Sequence, residues 1–306
     1  MSYFNMTILG CGSATPTLRH FPSAQAVRYR NRVMLVDCGE GCQLQMRRFG
    51  LPFTKVTDIF ISHLHGDHFL GLPGLLSTMA LHDMQGGVTV HTFARGAEVL
   101  SRLMAVVCPE RPYELKFNII EPSNPGILFE DTNLVVSAFR LYHRVPCVGF
   151  RFDEKPKRRH IDADAARFFG VPHYMMDSLR DGADFTDAEG RVIANERLTK
   201  APSPSLSYAY CSDTAFDLRV AEAVKGVDVL YHEATYGDER AVYAAPRGHS
   251  TAREAARIAA AAAASTLVLG HYSKTVTDES ILVSEACQEF DGTVIAGREG
   301  LQIDLI

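Results

Sequence analysis

Short apolar runs separated by polar turns recur along the whole chain. Runs of this length, rich in Val, Ile, Leu and aromatic residues, predict β-strands because such side chains pack well on a pleated surface. They cover residues 6–9, 33–36, 59–61, 88–92, 134–141, 148–152, 206–210, 227–230 and 267–269. The pattern therefore predicts many short strands spread over both halves of the chain.

Helical patterns lie between several of these runs, at residues 74–82, 94–107, 216–224, 251–264 and 279–290. The alanine-rich stretch is preceded by Ser250 and Thr251, which are typical residues for the start of a helix. Strands that alternate with helices in both halves favour an α/β protein in which sheets pack together and helices cover them.

Four of the apolar runs end in a residue that can bind a metal. Residues 59–61 lead to His63 and residues 134–141 to His143, while residues 206–211 lead to Asp213 and residues 267–270 to His271. Loops at strand ends are where a rigid sheet presents chemistry. We expect these four endings to meet at one rim of the fold.

The sequence at 62–68, Ser-His-Leu-His-Gly-Asp-His, concentrates three imidazoles and one carboxylate directly after an apolar strand. Imidazole and carboxylate bind Zn, Mn or Fe and leave positions open for water, whereas closed structural zinc sites usually use cysteines. A histidine-rich surface loop is the alternative. The spacing after a strand favours a catalytic metal site.

Together the cluster and the strand endings supply seven candidate ligands, too many for one four-coordinate ion. They are His63, His65, Asp67, His68, His143, Asp213 and His271. One set of three histidines would hold the first ion, Asp67 with two further histidines would hold the second, and Asp213 would bridge them. Two ions about 3.5–4 Å apart suit the hydrolysis of a phosphodiester.

Phosphodiester hydrolysis also needs a group that protonates the leaving oxygen, and His249 is the candidate. It lies in Gly-His-Ser-Thr at 248–251, next to a predicted helix start, and histidine titrates near neutral pH. Glu233, in His-Glu-Ala-Thr at 232–235, could orient its imidazole and favour the protonated form. The alternative is that His249 lies at the start of a helix and has no catalytic role.

Composition limits the remaining classes of function. The chain has 306 residues, 46% of them hydrophobic, with a formal net charge of −5, so unspecific nucleic-acid binding is not indicated. Its seven cysteines show no disulfide or zinc-finger spacing and receive no role here, which favours a reducing cytoplasm. We see no signal peptide and no apolar run long enough to span a membrane.

Residues 153–200 are polar and interrupt the α/β alternation, like an arm inserted into a single domain of residues 1–306. The segment begins with the basic residues Lys155, Lys157, Arg158 and Arg159, and aromatic residues follow at 168–174. Basic and aromatic side chains together suit an RNA backbone and unstacked bases. A solvated surface excursion is equally consistent with the pattern.

These motifs resemble the ribonuclease Z family, tRNA 3′-processing endonucleases among the phosphodiesterases of the metallo-β-lactamase fold. The resemblance covers nearly the whole chain. It rests on Leu-Gly-Cys-Gly-Ser at 9–13, Asp-Cys-Gly-Glu-Gly at 37–41, the run at 62–68 with Gly-Leu-Pro-Gly-Leu-Leu at 71–76, His143, Ser-Asp-Thr at 212–214, the motifs at 232–235 and 248–251, and His271. The inserted segment differs, since it has Gly-Val-Pro-His-Tyr at 170–174 without the Gly-Pro pair common in arms of this family.

The resemblance implies an αββα sandwich with two zinc ions and the removal of 3′ trailers from precursor tRNA, which leaves a 3′-hydroxyl. It also implies that Asp67 accepts a proton as well as binding metal, that His249 is catalytic, and that a homodimer clamps tRNA with its arms. The runner-up is a small-substrate phosphodiesterase or esterase on the same fold. A metal- or RNA-binding module without activity is a third class, and it would not need Asp67 and His249 beside a complete ligand set.

Overall fold

The computed structural model describes residues 3–82 and 84–305, and these form two compact units. The first unit comprises the residues up to 130, residues 135–153 and the residues from 206 onward. The second comprises residues 131–134 and 154–205. The boundaries of the second unit lie close to those of the predicted arm.

A seven-stranded sheet is formed mainly by the first third of the chain, in the order β18-β1-β2-β3-β4-β5-β6. Its strands are β1 (Phe4–Gly10), β2 (Ala24–Tyr29), β3 (Arg32–Cys38), β4 (Val56–Phe60), β5 (Gly87–Thr92), β6 (Glu114–Ile119) and β18 (Gln302–Asp304). Strands β3 to β6 are parallel to one another, so their carboxyl ends share one edge.

A second seven-stranded sheet has the order β17-β16-β15-β14-β9-β8-β7. Its strands are β7 (Ile127–Glu130), β8 (Leu134–Arg140), β9 (Val148–Glu154), β14 (Ser207–Cys211), β15 (Val229–Glu233), β16 (Thr266–Gly270) and β17 (Thr293–Ala296). Strands β14 to β17 are parallel, which again places their carboxyl ends together.

Helices cover the outer faces of both sheets. In the first unit they are α1 (Cys42–Arg48), α2 (Gly66–Phe69), α3 (Leu72–Leu81), α4 (Ala94–Val107), α7 (Arg219–Ala223), α8 (Ala244–Arg247), α9 (Ala252–Ala261) and α10 (Glu279–Ala286), with 3₁₀ turns at Phe53–Lys55 and Asp238–Tyr243. Helices α1, α3 and α4 bury apolar side chains in one core with the first sheet. Helices α9 and α10 pack against β15 to β17.

The two sheets pack face to face through large aromatic side chains. Phe60 of β4 contacts Phe150 and Phe152 of β9, with ring centroids 5.4 and 5.6 Å apart. Residues of β3 alternate accordingly: Val33 and Leu35 face the helices, and the residues between them face the other sheet, as the two-residue period of a strand requires. Both faces are apolar because both are covered. The result is the αββα sandwich that the resemblance implies.

The second unit has a small core of its own. Its elements are β10 (His160–Ile161), α5 (Ala163–Phe168), α6 (Met176–Arg180), β11 (Phe185–Thr186), β12 (Val192–Ile193) and β13 (Thr199–Lys200), with 3₁₀ turns at His173–Met175 and Asn195–Arg197. Six buried apolar residues, including Leu179 and Leu198, form that core. The buried amide of Asn195 donates to the carbonyls of Leu179 and Ala183 at 2.8 and 2.7 Å and so ties the segments together.

All nine predicted strands and all five predicted helices are present, with ends that differ by a few residues. The helix expected at 216–224 is shorter, Arg219–Ala223. In the first unit, strands β2, β6, β7, β17 and β18 and helices α1, α2 and α8 had no counterpart in the prediction. Within the described residues, the structure contains no helix of the length and apolarity needed to cross a membrane.

Candidate metal centre

The strand endings that the sequence singled out do meet at one rim. His63 lies three residues after the end of β4, Asp213 lies two residues after β14, and β16 leads directly into His271. His143 lies three residues after β8. The short helix α2 contains Asp67 and His68, and His65 immediately precedes it. The structure therefore brings all seven predicted ligands together from segments up to about 200 residues apart.

The first cluster contains three imidazoles and one carboxylate oxygen. His63 Nε2 lies 3.0 Å from His65 Nδ1, and His143 Nε2 lies 3.4 Å from the same atom. Asp213 Oδ2 is 3.6 Å from His63 Nε2 and 3.9 Å from His143 Nε2. Donor atoms that share one tetrahedral zinc ion are about 3.3 to 3.5 Å apart. The four atoms are thus spaced as the ligands of one ion.

The second cluster uses the other oxygen of the same aspartate. His68 Nε2, His271 Nε2 and Asp67 Oδ2 are separated by 3.3 to 3.4 Å. Asp213 Oδ1 lies 3.4 Å from His68 Nε2 and 3.1 Å from His271 Nε2. Asp213 therefore lies between the two clusters and presents one oxygen to each, the arrangement of a bridging ligand.

Two features of the donors fit a divalent metal. Asp213 Oδ1 is fully buried and accepts no hydrogen bond, which is a costly state for a charged oxygen unless a cation faces it. Neutral imidazoles and carboxylates are also the donors that zinc and its neighbours prefer, with water completing an open position. Both clusters qualify on donor type and on spacing.

The electrostatics of the rim keep several of these donors in their metal-binding forms. Burial lowers the pKa of His63, His65 and His143, so these rings stay neutral at pH 7. Burial by itself raises the pKa of Asp213, but the surrounding imidazoles, His271 first, hold it well below its usual range. His68 differs from these rings: burial by itself lowers its pKa, but Asp213 and Asp37 outweigh it and raise the pKa well above its usual value, so a proton would have to leave this ring when a metal binds.

The ring nitrogens that face away from the clusters are also fixed. His143 Nδ1 donates to the carbonyl of Gly248 at 2.7 Å, and His271 Nδ1 contacts the hydroxyl of Thr235 at 2.9 Å. His68 Nδ1 is 2.7 Å from Asp37 Oδ2. Such contacts set the tautomer and the orientation of a ligating histidine.

Asp37 is a buried residue at this rim that was not among the predicted site residues. Residues 36 and 38 of β3 pair with consecutive residues of β2, so Asp37 is the extra residue of a β-bulge, and its φ is +57°. The bulge turns its carboxylate inward, where it accepts from Ser62 N, Ser62 Oγ and Tyr210 OH at 2.7 to 2.8 Å. Its place directly after an apolar run was the signal available in the sequence.

His249 and Glu233 form a contact beside the clusters. His249 Nδ1 is 3.0 Å from Glu233 Oε1, and the carboxylate is completely buried. Burial by itself lowers the pKa of His249, but Glu233 outweighs it and raises the pKa to about 9. The imidazole ring stacks on His271, with centroids 5.4 Å apart, which places it next to the second cluster.

A cavity of about 590 Å³ opens over the clusters and exposes them to solvent. His65, Asp67, Asp213, His249 and His271 line it. Four basic residues also lie in its wall: Arg144, Arg240, Arg247 and Lys274. On a chain of net charge −5 this is a local concentration of positive charge, and it suits an anionic substrate.

The basic residues predicted to contact RNA lie in the second unit and are largely paired there. Arg158 Nε is 2.7 Å from Asp181 Oδ1, Lys157 Nζ is 2.8 Å from Glu154 Oε2, and Arg159 Nε donates to Thr199 Oγ1 at 2.7 Å. Residues 153–200 also contain ten Asp or Glu against nine Lys or Arg, so the segment is not basic as a whole.

Comparison with known proteins identifies the family to which the chain belongs. A family model for the anti-Pycsar protein Apyc1 matches residues 4–92. Ribonuclease Z of Parabacteroides distasonis is 44% identical over 305 residues and covers 100% of both chains. Ribonuclease Z of Bacteroides thetaiotaomicron is 42% identical over 305 residues, 100% of this chain and 96% of its own. The chain belongs to the ribonuclease Z family.

Solved structures support this membership in the ribonuclease Z family and identify the fold. The short form of human tRNase Z superposes with a TM-score of 0.70 at 25% identity and covers 99% of both chains. The metallo-β-lactamase fold protein YhfI of Bacillus subtilis has a TM-score of 0.69 at 18% identity over 98% of both chains, a likeness of fold alone. The predicted fold class, a metallo-β-lactamase-type αββα sandwich, is confirmed.

Asp37 provides a test of the contacts behind the clusters. We expect Asp37→Asn to lower metal affinity about 10- to 100-fold, because the ring of His68 loses its charged partner. Asp58→Asn is a matched control, since Asp58 pairs with the buried His91 at 3.0 Å on the same sheet but away from the clusters. Competition of both variants against a chelator measures the effect. If Asp37→Asn binds metal as tightly as Asp58→Asn, Asp37 has only a packing role.

Proposed function

We propose that this chain is an endoribonuclease that removes 3′ trailers from precursor tRNA and leaves a tRNA 3′-hydroxyl. The observation that carries the proposal is full-length relatedness to ribonuclease Z, combined with a four-donor cluster that includes Asp213 and a three-donor cluster whose imidazoles Asp213 also contacts. A phosphodiesterase site needs metal, a proton acceptor and a proton donor in one cavity. Candidates for all three line the cavity over the two clusters.

We assign two zinc ions to the clusters. His63, His65 and His143 would hold one ion, Asp67, His68 and His271 would hold the other, and Asp213 would bridge them. When bound, such a pair of ions supplies hydroxide at neutral pH and neutralises charge on a phosphoryl oxygen. The same nitrogen and oxygen donors also accept Mn²⁺ or Fe²⁺.

The remaining steps belong to side chains of the chain itself. Asp67 would accept the proton released by the attacking water, in addition to acting as a ligand. His249 would protonate the leaving oxygen: Nδ1 is engaged by Glu233, so Nε2 is the nitrogen that can give a proton. A pKa of about 9 keeps that proton on the ring at neutral pH. Glu233 is then a positioning residue, which turns the ring and stabilises its charge.

The basic wall of the cavity favours RNA over a neutral substrate. Arg247 Nη1 donates to Tyr236 OH at 2.8 Å, and its guanidinium lies 5.1 Å from the ring centroid of Tyr243. A guanidinium held this way is suited to binding a phosphate oxygen, because its planar set of N–H donors is already fixed in position. Several cations around one centre fit a substrate that carries more than one phosphate.

We propose a second RNA contact through the arm. Phe168 and Tyr174 are 83% and 80% exposed, unusually high fractions for aromatic side chains. Aromatic side chains of this kind stack on unpaired bases. The paired state of Arg158 and Arg159 makes these two rings, more than the basic stretch, the features of the segment that suit RNA.

We also propose a homodimer in the cytoplasm. Helix α4 exposes Val99, Leu103 and Val106, which recur at helical spacing on one side of the helix. Exposed apolar stripes mark protein interfaces more often than solvent surface. All seven cysteines are free thiols, which is compatible with a reducing compartment.

The bridging position of Asp213 leads to a prediction about metal content. We expect the wild-type protein to bind two ions in these clusters, and Asp213→Ala to lose both metal and activity because it removes a ligand from each. Asp217→Ala is the control, since Asp217 lies four residues on and pairs with Arg219. Elemental analysis on samples assayed for cleavage checks this. Full activity with a single ion at this rim would exclude the two-metal mechanism.

The proposed role of His249 separates metal binding from turnover. His249→Ala should keep its metals and lose about 10²- to 10⁴-fold in kcat, the usual range for a positioned acid. Glu233→Gln should move the alkaline limb of the pH–rate profile to lower pH, because the imidazole loses the charge that raises its pKa.

Both measurements use a precursor-tRNA transcript, with His160→Ala, an exposed histidine of the second unit, as control. A metal-free His249→Ala protein would make His249 a ligand. An alkaline limb that does not move in Glu233→Gln would leave Glu233 with a structural role only.

The arm leads to a prediction about substrate class. Replacing Phe168 and Tyr174 by Ala should weaken precursor-tRNA binding by about 1–3 kcal/mol per stacked base. Hydrolysis of a small chromogenic phosphodiester should not change, because the metal clusters and His249 lie in the other unit. Val192→Ala, exposed in the same segment, is the control. If tRNA affinity is unaffected, the arm is a solvated excursion and the small-substrate hydrolase becomes the better proposal.

A further inference from the structure

Cys11, His20 and Glu299 form a cluster of metal-binding side chains separate from the proposed catalytic centre. Cys11 Sγ lies 3.4 Å from His20 Nδ1 and 3.7 Å from Glu299 Oε1. His20 Nδ1 lies 3.1 Å from Glu299 Oε2. One thiol, one imidazole nitrogen and one carboxylate thus face a common point.

The three distances, 3.1 to 3.7 Å, lie around those between the ligands of a single zinc ion. With bonds of about 2.3 Å to sulfur and 2.0–2.2 Å to nitrogen and oxygen, tetrahedral donors are about 3.4 to 3.6 Å apart. A hydrogen-bonded trio could show similar contacts. The outer nitrogen of His20, Nε2, also has a partner.

That outer nitrogen has the partner typical of a metal-ligating histidine. His20 Nε2 is 2.9 Å from Glu279 Oε1, and Arg19 Nη2 holds the same oxygen at 2.6 Å. A carboxylate behind a histidine fixes its tautomer and makes the opposite nitrogen a better ligand. Glu299 is fixed as well, since its Oε1 accepts from the backbone nitrogen of Phe21 at 2.8 Å.

We propose that Cys11, His20 and Glu299 form a zinc site, with water in the fourth position. On binding, the Cys11 thiol gives its proton to solvent and a zinc–thiolate bond forms. Thiolate with imidazole and carboxylate selects zinc over Mg²⁺ or Ca²⁺, which prefer oxygen donors alone. A cavity of about 420 Å³, lined by His20 and Glu279, lies on one side of the site.

This site ties together the wall of the proposed active-site cavity. Residues 13–16 and Pro22 line that cavity. Residues 13–16 lie between Cys11 and His20 in the chain, and Pro22 lies two residues after His20. The carbonyl of Cys11 also accepts from the backbone nitrogen of Tyr272, next to the candidate ligand His271. A zinc ion would anchor this segment to the chain near Glu299, and its role is structural.

A thiolate signal distinguishes this site from the catalytic centre. The seven candidate ligands of that centre are nitrogen and oxygen donors, so cobalt placed there gives no sulfur-to-cobalt charge-transfer band. We expect the cobalt-substituted wild-type protein to show that band in the near ultraviolet, Asp213→Ala to keep it, and Cys11→Ser to lose it. Cys287→Ser, which removes an exposed thiol, is the matched control and should keep the band.

Zinc content gives the second readout. Cys11→Ser should bind one zinc ion per chain fewer than wild type, whatever number the catalytic centre holds. His20→Asn serves the same purpose if the first variant does not fold. A folded wild-type protein without the thiolate band, and with the same zinc content as both variants, would overturn the proposal and leave a hydrogen-bonded network. Because Asp213→Ala is measured in parallel, failure here is distinguishable from failure of the two-metal centre.

Discussion

Four carboxylates are buried at one rim of the sandwich, and the cost of burying their charge governs the local structure. They are Asp37, Asp67, Asp213 and Glu233, each at most 8% exposed. An ionised carboxylate in a protein interior needs hydrogen bonds or a facing cation, since neither water nor a neutral core can balance it. How each of the four is balanced distinguishes the groups that support the site from the groups that would do chemistry.

Asp37 and Glu233 are satisfied by the protein itself. Asp37 accepts from Ser62 and Tyr210, and Glu233 accepts from the backbone nitrogens of Thr214 and Thr235 at 2.9 and 3.1 Å. Asp67 and Asp213 face mainly imidazoles, and part of Asp213 has no hydrogen bond at all. The stability of this rim is therefore coupled to bound cations in a way that the apolar core between the sheets is not.

The candidate ligands could be predicted because they obey a local rule: an apolar run followed by a donor. Other features depend on geometry that no local pattern encodes. The inward direction of Asp37 requires a bulge and a positive φ, and β2, with Ala24, Gln25 and Ala26, lacks a continuous run of large apolar residues. The charge balance of the arm, by contrast, was countable in the sequence, but the pairing of Arg158 with Asp181, 23 residues later, was not.

The candidate ligands span residues 63 to 271, and neither cluster is complete without donors from the second sheet. During synthesis, a chain that has emerged only as far as β9 carries five of the seven donors, but it has no Asp213 to join them and no His271. Any nuclease activity built on this rim is thus withheld until the two sheets have closed on each other. A nuclease with its active site at this rim would by this means be inert while it is still a nascent chain among RNA.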